Sequence, residues 1–447
     1  MVFIPNTDSD RKIMLEKIGI NSFDELIEVI PENIRLKNLL NLPAKLSELE
    51  VVRLMENYSK MNITAGTHTC FMGGGAYDRF IPTIVDTILE RSEFKTAYTP
   101  YQAEVSQGTL QVMYEYQSMI CALTGMDISN ASMYDGGTAL AEACLLSGAH
   151  NRRNEFLIAG SINPYYKQVI NTITSGRKYS FKEFVMADGT ADLEALKNAI
   201  SDKTSGIIAQ QPNAFGNLED VFEIGKIAHS KKAMFIISVD PISLGVLTPP
   251  SEYDADIVVG EGQPLGISLN FGGPYLGIFA CKKEFVRKIP GRLTGVTVDE
   301  DGKRGFVLTL QTREQQIKRE KATSNICTNQ GLLMLASTVY MATMGKEGIK
   351  EVAEQSFQKA HYLAGQITAL PGFSLVSEKP FLYEFLVQTP VAVSEIICEA
   401  KKVGILAGIE VNESESLNGL LIAVTEKRTR EDLDNFVNFL KRFGNNG

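Results

Sequence analysis

The chain lacks three features that would narrow its function at once: a C-x-x-C pair, a block of lysines and arginines, and an apolar run long enough to cross a membrane. Six cysteines, Cys70, Cys121, Cys144, Cys281, Cys327 and Cys398, lie far apart, as reduced thiols in a cytosolic core do. The four histidines are equally scattered. His68-Thr69-Cys70 offers two ligands where a structural zinc needs four, so ordinary packing and capping are the better reading. Basic residues are outnumbered, 44 Lys+Arg against 53 Asp+Glu, and a net charge of −9 with a pI near 5.3 leaves no electrostatic footprint for nucleic acid or an anionic membrane. The longest uncharged stretch, Ala322 to Gly345, is broken by Thr323, Ser324, Asn325, Thr328, Asn329 and Gln330, which suits a buried helix and not a spanning one. Asp8, Asp10, Arg11 and Lys12 interrupt the region where a secretory signal needs an apolar core, so the expected location is cytoplasmic.

What is present is an ordinary globular composition, 44% hydrophobic and 22% charged over 447 residues, with enough apolar mass for more than one core. Residues 1–65 read as a helical arm: Ser22-Phe23-Asp24-Glu25 resembles a capping box, and Leu46 to Tyr58 carries apolar residues at helical spacing. A loop-rich stretch from Asn62 to Pro100, with Gly73-Gly74-Gly75, precedes a helix expected over Ser106 to Thr124; loops this long are usually functional. FLIAG (156–160), GIIAQ (206–210), AMFIISV (233–239) and ADIVV (255–259) are short apolar runs, several of them separated by helical segments such as Leu218 to Lys231. That pattern predicts an α/β fold, a mostly parallel sheet with helices on both faces, to which YLGIFAC (275–281) adds a possibly antiparallel strand. This large domain is expected over 66–330. Residues 331–447 then read as a linking helix, Gly331 to Met344, and a smaller α+β domain: FSLVS (373–377), FLYEFLVQ (381–388), a helix near Ser394 to Val403, LLIAV (420–424), and a closing helix from Arg430 to Phe443.

In such sheets, ligands sit outside the carboxyl ends of the strands. Asp240 closes AMFIISV, where a carboxylate can hold the protonated ring nitrogen of pyridoxal phosphate (PLP); an Asp-Pro there is otherwise a turn signal. Gly136-Gly137-Thr138, entering the apparent helix Leu140 to Ala149, has the form of a phosphate cradle, and equally of an N-cap turn. A PLP enzyme of this build also needs a lysine soon after the Asp strand. The 49 residues from Ala233 through Cys281 contain no lysine or arginine at all.

Two long segments carry a family resemblance. AYTPYQAEVSQGTLQVMYEYQSMICALTGMDISNASMYDGGTALAEA (97–143) and PGRLTGVTVDEDGKRGFVLTLQTREQQIKREKATSNICTNQ (290–330) resemble the glycine decarboxylase family, the P-protein of the glycine cleavage system. The likeness spans essentially the whole chain, and its length is similar to the first, α, of the two roughly half-length chains in the split form of that enzyme. The resemblance implies a fold-type-I PLP-dependent transferase architecture. It also implies decarboxylation of glycine on PLP, with the aminomethyl group passed to the lipoyl arm of the H-protein. In the family's second, β-like chain the cofactor lysine lies in an H-K-T-F segment before a Gly-rich turn; counted back from Gly272-Gly273-Pro274, the corresponding position here is Gln263, an amide that cannot take the lysine's place. The resemblance therefore implies PLP held by the partner β subunit, with Asp240, Gly136, Gly137, Thr138 and Gln263 left as a vestigial site in this one. Arg79 and Gln316 stand where the family has histidines, and both still supply hydrogen-bond donors.

Because fold-type-I sites lie at subunit interfaces, the likeness assigns this chain the completion of its partner's pocket. Tyr98, Thr99, Tyr101 and Gln102 of the YTPYQ loop present phenols and an amide for a glycine carboxylate or the lipoyl arm, with a rigid surface turn as the alternative. Thr323, Ser324 and Asn325 offer hydroxyls and an amide near the partner's PLP phosphate, or cap a helix. Arg319 and Lys321 belong to a charge-rich stretch that reads as a solvated face. The expected partners are the β subunit, lipoylated H-protein and glycine, in an α2β2 assembly. The competing expectation is an autonomous aminotransferase-like PLP enzyme that uses a lysine elsewhere, for instance Lys167 or Lys178.

Overall fold

Each of the four apolar runs and YLGIFAC becomes a strand of one seven-stranded sheet. The computed structural model describes residues 6–38, 40–326, 328–414 and 418–444, so Cys327 lies outside the described residues. The strands are β1 (Ile128–Ser129), β2 (Glu155–Ala159), β3 (Ser180–Phe184), β4 (Thr204–Gln211), β5 (Met234–Val239), β6 (Ile257–Glu261) and β7 (Gly277–Cys281). Their spatial order is β1-β7-β6-β5-β4-β2-β3, with β3, β2, β4, β5 and β6 mutually parallel and β7 antiparallel to both its neighbours. Strands covered on both faces need apolar side chains at successive positions, which is why β5, β6 and the antiparallel β7 are all buried end to end. Edge strand β3, SFKEF, has no buried residue and no apolar run in the sequence.

Alternation along the strands divides the core in two. Ile207, Ala209, Phe235, Ile237 and Val258 share one cluster with Leu110 and Met113 of the helix Gln107–Thr124 and with Ile224 and Ile227 of the helix Val221–Ser230. Ile208, Ile236, Ile257 and Val259 point the other way, onto Leu140, Ala143 and Leu146 of the helix Gly136–Asn151. The two-fold period of a strand thus sends successive residues to opposite helical layers.

Two compact units are present, 1–63 and 64–447. The first contains the helices Asp8–Ile18, Phe23–Leu26 and Glu48–Lys60. Reciprocal capping boxes form at Thr7/Asp10 and Ser47/Glu50. At Ser22 only half of the expected box forms: Ser22 accepts the Glu25 N–H, but the Glu25 carboxylate turns to the N–H of Asn21.

In the second unit, a hairpin of β8 (Leu293–Val298) and β9 (Arg304–Thr309) follows the sheet. The helix expected to end at Met344 continues to Thr368, and Gly345, at φ +58°, supplies the backbone break that divides it. A four-stranded antiparallel sheet follows: β10 (Ser374–Leu375), β11 (Glu384–Gln388), β12 (Ile409–Asn412) and β13 (Asn418–Ala423), in the order β10-β11-β13-β12. Helices Val393–Lys402 and Arg430–Leu440 accompany it. Among the described residues no helix is long and apolar enough to cross a membrane.

Candidate functional site

The carboxyl ends of β4, β5 and β6 open into one cleft, closed from the side by the start of β11. Its lining includes Gly75, Tyr77, Asn163, Tyr166, Gln210, Asn213, Ser238, Asp240, Glu261, Tyr383 and Glu384. The charged members are all acidic: Asp240 directly after β5, Glu261 at the end of β6 and Glu384 at the head of β11. The space left among them is about 40 Å³. That is room for about three waters and falls well short of the ~300–1,000 Å³ of a ligand pocket.

Asp240 occupies the place the sequence assigns to it. Its Oδ1 accepts the N–H of Ile242 at 2.8 Å, the turn expected of Asp-Pro, while Oδ2 is buried with no hydrogen-bond partner. The Tyr383 hydroxyl is buried close to Asp240; burial first, and then the nearby Asp240 charge, raise its pKa well above that of an ordinary phenol.

Gly136-Gly137-Thr138 does begin a helix, but the N–H groups of Gly136 and Thr138 are already engaged. Asp135, the N-cap, accepts the Thr138 N–H at 2.7 Å. The Gly136 N–H goes to Glu261 Oε2 at 3.0 Å, and Glu261 Oε1 takes the N–H groups of Gln263 and Leu276, each at 3.0 Å. Tyr166, from the helix Pro164–Thr174, lies against both glycines: a Cβ added at Gly136 would sit 2.5 Å from its hydroxyl, and one at Gly137 3.2 Å from its ring.

Gln263 is 1% exposed, yet its side chain serves the backbone of the Gly-rich loop and does not line the cleft. Its Oε1 accepts the Tyr77 N–H at 2.9 Å, and its Nε2 donates to the carbonyls of Tyr77 at 3.1 Å and Ile267 at 2.7 Å. Glu384 holds the same loop from the other side, accepting from the N–H of Gly74 at 2.7 Å and from the Tyr77 hydroxyl at 2.9 Å. Asn163 Nδ2 adds a bond to the Gly74 carbonyl at 2.9 Å.

Arg79, at the end of that loop, is almost fully enclosed. Its Nη1 meets Glu426 at 2.7 Å and Ser356 Oγ at 3.2 Å, and its guanidinium lies 4.7 Å from the ring centre of Tyr383. Burial opposes its charge, but the acidic groups around it, Tyr383, Glu426 and Asp240, outweigh that and hold it above its ordinary value. The other substitution for a family histidine, Gln316, is exposed, and its Nε2 donates to the Glu314 carboxylate at 2.8 Å.

The remaining candidates lie elsewhere. Tyr98 is 93% exposed and Tyr101 70%, with Gln102 also exposed, Thr99 half-buried and Pro100 buried between them. Thr323 and Ser324 line a second, smaller cleft with Arg287, Lys288, Arg313 and Lys318, while Asn325, Arg319 and Lys321 are exposed. Lys167 pairs with Glu183 at 3.2 Å, and Lys178 is exposed; neither lines the main cleft.

These residues do not fit a covalently held pyridoxal phosphate. Among the described residues no lysine, arginine or histidine lines the cleft, the Gly136 and Thr138 N–H groups of the cradle are taken, and the space is too small. Asp240, directly after β5, stands where the sequence places a carboxylate for such a site. Glu261, Tyr166, Tyr383 and Glu384 escaped the sequence reading. Glu261 had a signal, a carboxylate two residues past the ADIVV run; the others reach the cleft from distant segments and had none.

The model of the family described as "Glycine cleavage system P-protein" matches residues 1–440. A curated relative named "Probable glycine dehydrogenase (decarboxylating) subunit 1", from Chloroherpeton thalassium, is 55% identical, covering 99% of this chain and 99% of its own. A crystal structure of glycine decarboxylase (P-protein) of the glycine cleavage system, in inhibitor-bound form, superposes with a TM-score of 0.90 at 39% identity, over 99% of this chain and 100% of that one. A C-DES mutant with glycine covalently linked to its PLP cofactor shares the fold alone: TM-score 0.62, 15% identity, 84% of this chain and 97% of that one.

Two predictions follow from the geometry. Burial pushes Glu261 up to about 8 and Glu384 up to about 7, against 4.5 for an open glutamate, despite the N–H and phenol bonds that oppose the shift. Between about pH 4.5 and 8 the unfolded chain releases protons that the folded chain keeps, so stability falls as pH rises. Urea midpoints measured across that window should decline, and Glu384→Gln should flatten the decline; a midpoint that climbs with pH contradicts the assignment. Second, Glu426→Ala strands the buried Arg79 charge and should cost about 3–5 kcal/mol in urea unfolding, whereas the apolar pair Arg79→Met with Glu426→Leu should cost far less. Equal losses in the two would show that packing, and not the ion pair, is what matters there.

Proposed function

The chain belongs to the glycine cleavage system P-protein family, and on that premise we propose that it is the first subunit of a two-chain glycine decarboxylase whose second subunit holds the pyridoxal phosphate. The relatives' name, with its "subunit 1", supports a second chain. The observation that carries the division of labour is the cleft itself, lined among the described residues by three carboxyl side chains and no lysine. On this reading the cofactor chemistry belongs to the partner, and this chain supplies surface.

The assembled enzyme decarboxylates glycine and passes the aminomethyl group to the lipoyl arm of an H-protein, as an α2β2 complex in the cytoplasm. Tyr98, Thr99, Tyr101 and Gln102 are the pocket-completing group. Two phenols standing in solvent around a buried proline are costly to leave uncovered and are held in one shape. Thr323, Ser324 and Asn325 are the second group, and the cations Arg287, Lys288 and Lys318 around the first two suit an anionic neighbour. An aminotransferase working alone is not favoured, because Lys167 is engaged with Glu183 and Lys178 faces solvent.

The test is kinetic. In the two-subunit enzyme supplied with lipoylated H-protein, Tyr98→Ala and Tyr101→Ala should each lower kcat/KM for glycine by about tenfold or more, the loss of ~1.4 kcal/mol of transition-state binding. Undiminished activity in both variants, with assembly intact by size-exclusion chromatography, would overturn the pocket role.

A further inference from the structure

The loss of a lysine explains why a cofactor is not covalently anchored here; it does not explain why a phosphate should be refused. A helix N-terminus with two glycines followed by threonine normally offers free N–H groups to a phosphate. In this chain the first of those groups, Gly136 N–H, is bonded to Glu261 Oε2 at 3.0 Å. The same carboxyl collects the N–H groups of Gln263 and Leu276, so three donors from three separate segments converge on one acidic side chain that is 8% exposed. Above it, the Tyr166 ring fills the room that the missing glycine Cβ atoms leave, its hydroxyl 2.5 Å from where a Gly136 Cβ would stand. The space remaining is about 40 Å³.

We infer that Glu261 and Tyr166 are the chain's own occupants of the former cofactor seat, the carboxyl standing where a phosphate would sit and the ring closing the volume beside it. The cofactor is thus excluded by occupancy and not only by the missing lysine. This inference rests on the reading that the second subunit is the cofactor carrier. Its chemical content is specific. The seat is an anion receptor built of backbone N–H groups, satisfied from within, and removing the carboxyl should turn it into a site for phosphomonoesters or inorganic phosphate. Burying three N–H groups with no acceptor is expensive, so the emptied seat has a strong drive to take an outside oxyanion.

The experiment uses the full-length chain and inorganic phosphate as the probe, with thermal unfolding and phosphorus NMR line broadening as readouts. Wild type and Tyr166→Ala, both retaining Glu261, should be indifferent to phosphate. Glu261→Ala should unfold at a lower temperature in chloride, recover in phosphate, and bind phosphate on the order of tenfold or more tighter than wild type; adding Tyr166→Ala should extend that binding to pyridoxal phosphate. A wild-type chain that responds to phosphate as strongly as the variants would overturn the inference. So would a Glu261→Ala chain that folds yet ignores phosphate, or one that neither folds nor recovers in it. Failure of the parent reading looks different: PLP fixed by borohydride to a lysine of the wild-type chain would show that this subunit carries cofactor, whatever phosphate does to the variants.

Discussion

Three backbone N–H groups closing on the Glu261 carboxyl tie together the parts of the molecule on which everything else is arranged. Gly136 begins the helix that covers one face of the sheet, Gln263 follows the last parallel strand, and Leu276 precedes the strand that returns antiparallel. A buried carboxyl is tolerated only when its oxygens are satisfied, and here the satisfying donors are the otherwise orphaned N–H groups of a helix start and of turns flanking two strands. One side chain therefore serves several unpaired groups and fixes the helix to the strand ends. Gln263, two residues on, extends the arrangement by bonding both polar groups of the Tyr77 backbone, and Glu384 and Asn163 hold the N–H and the carbonyl of Gly74 before it.

The result is a cleft with the placement of a catalytic site and the contents of a structural one. Its position at the carboxyl ends of parallel strands and the unpartnered oxygen of Asp240 belong to the fold. Its acidic lining and its filled volume belong to this chain. The two buried carboxyl groups, Glu261 and Glu384, keep their protons to higher pH than an open glutamate because burial outweighs their hydrogen bonds. Such a site is suited to holding a loop still and poorly suited to holding a dianionic cofactor. The surface proposed for function is outside it, at the exposed Tyr98 and Tyr101 and at the hydroxyls Thr323 and Ser324 beside four basic side chains.

Much of this was legible in the residues. Buried parallel strands must be apolar at every position, so β2, β4, β5 and β6 announce themselves as uninterrupted runs, and the strand-end rule leads straight to Asp240. The edge strand β3 did not, because SFKEF has no buried residue and no apolar run to mark it. The hairpin of β8 and β9 also passed unread, although the DEDGK turn between alternating residues carries its signature. The helix beyond Met344 was cut short because Gly345 reads as a terminator, whereas the chain resumes the helix after a single left-handed residue. The site was legible by half. Asp240 and the Gly-Gly-Thr turn lie at strand and helix ends, where local rules apply. Tyr166, Tyr383 and Glu384 enter through tertiary packing, which no local pattern encodes. Gln263 stands where expected in sequence, but its amide is drawn away from the cleft by the loop backbone it satisfies.

The central claim is that this subunit shapes an active site without carrying its cofactor. The most direct measurement is to co-purify the two chains, add pyridoxal phosphate, fix any covalent linkage with borohydride, and weigh each chain by mass spectrometry. The account predicts an unmodified mass for this chain and one cofactor adduct on its partner. A stoichiometric adduct on a lysine of this chain would contradict it.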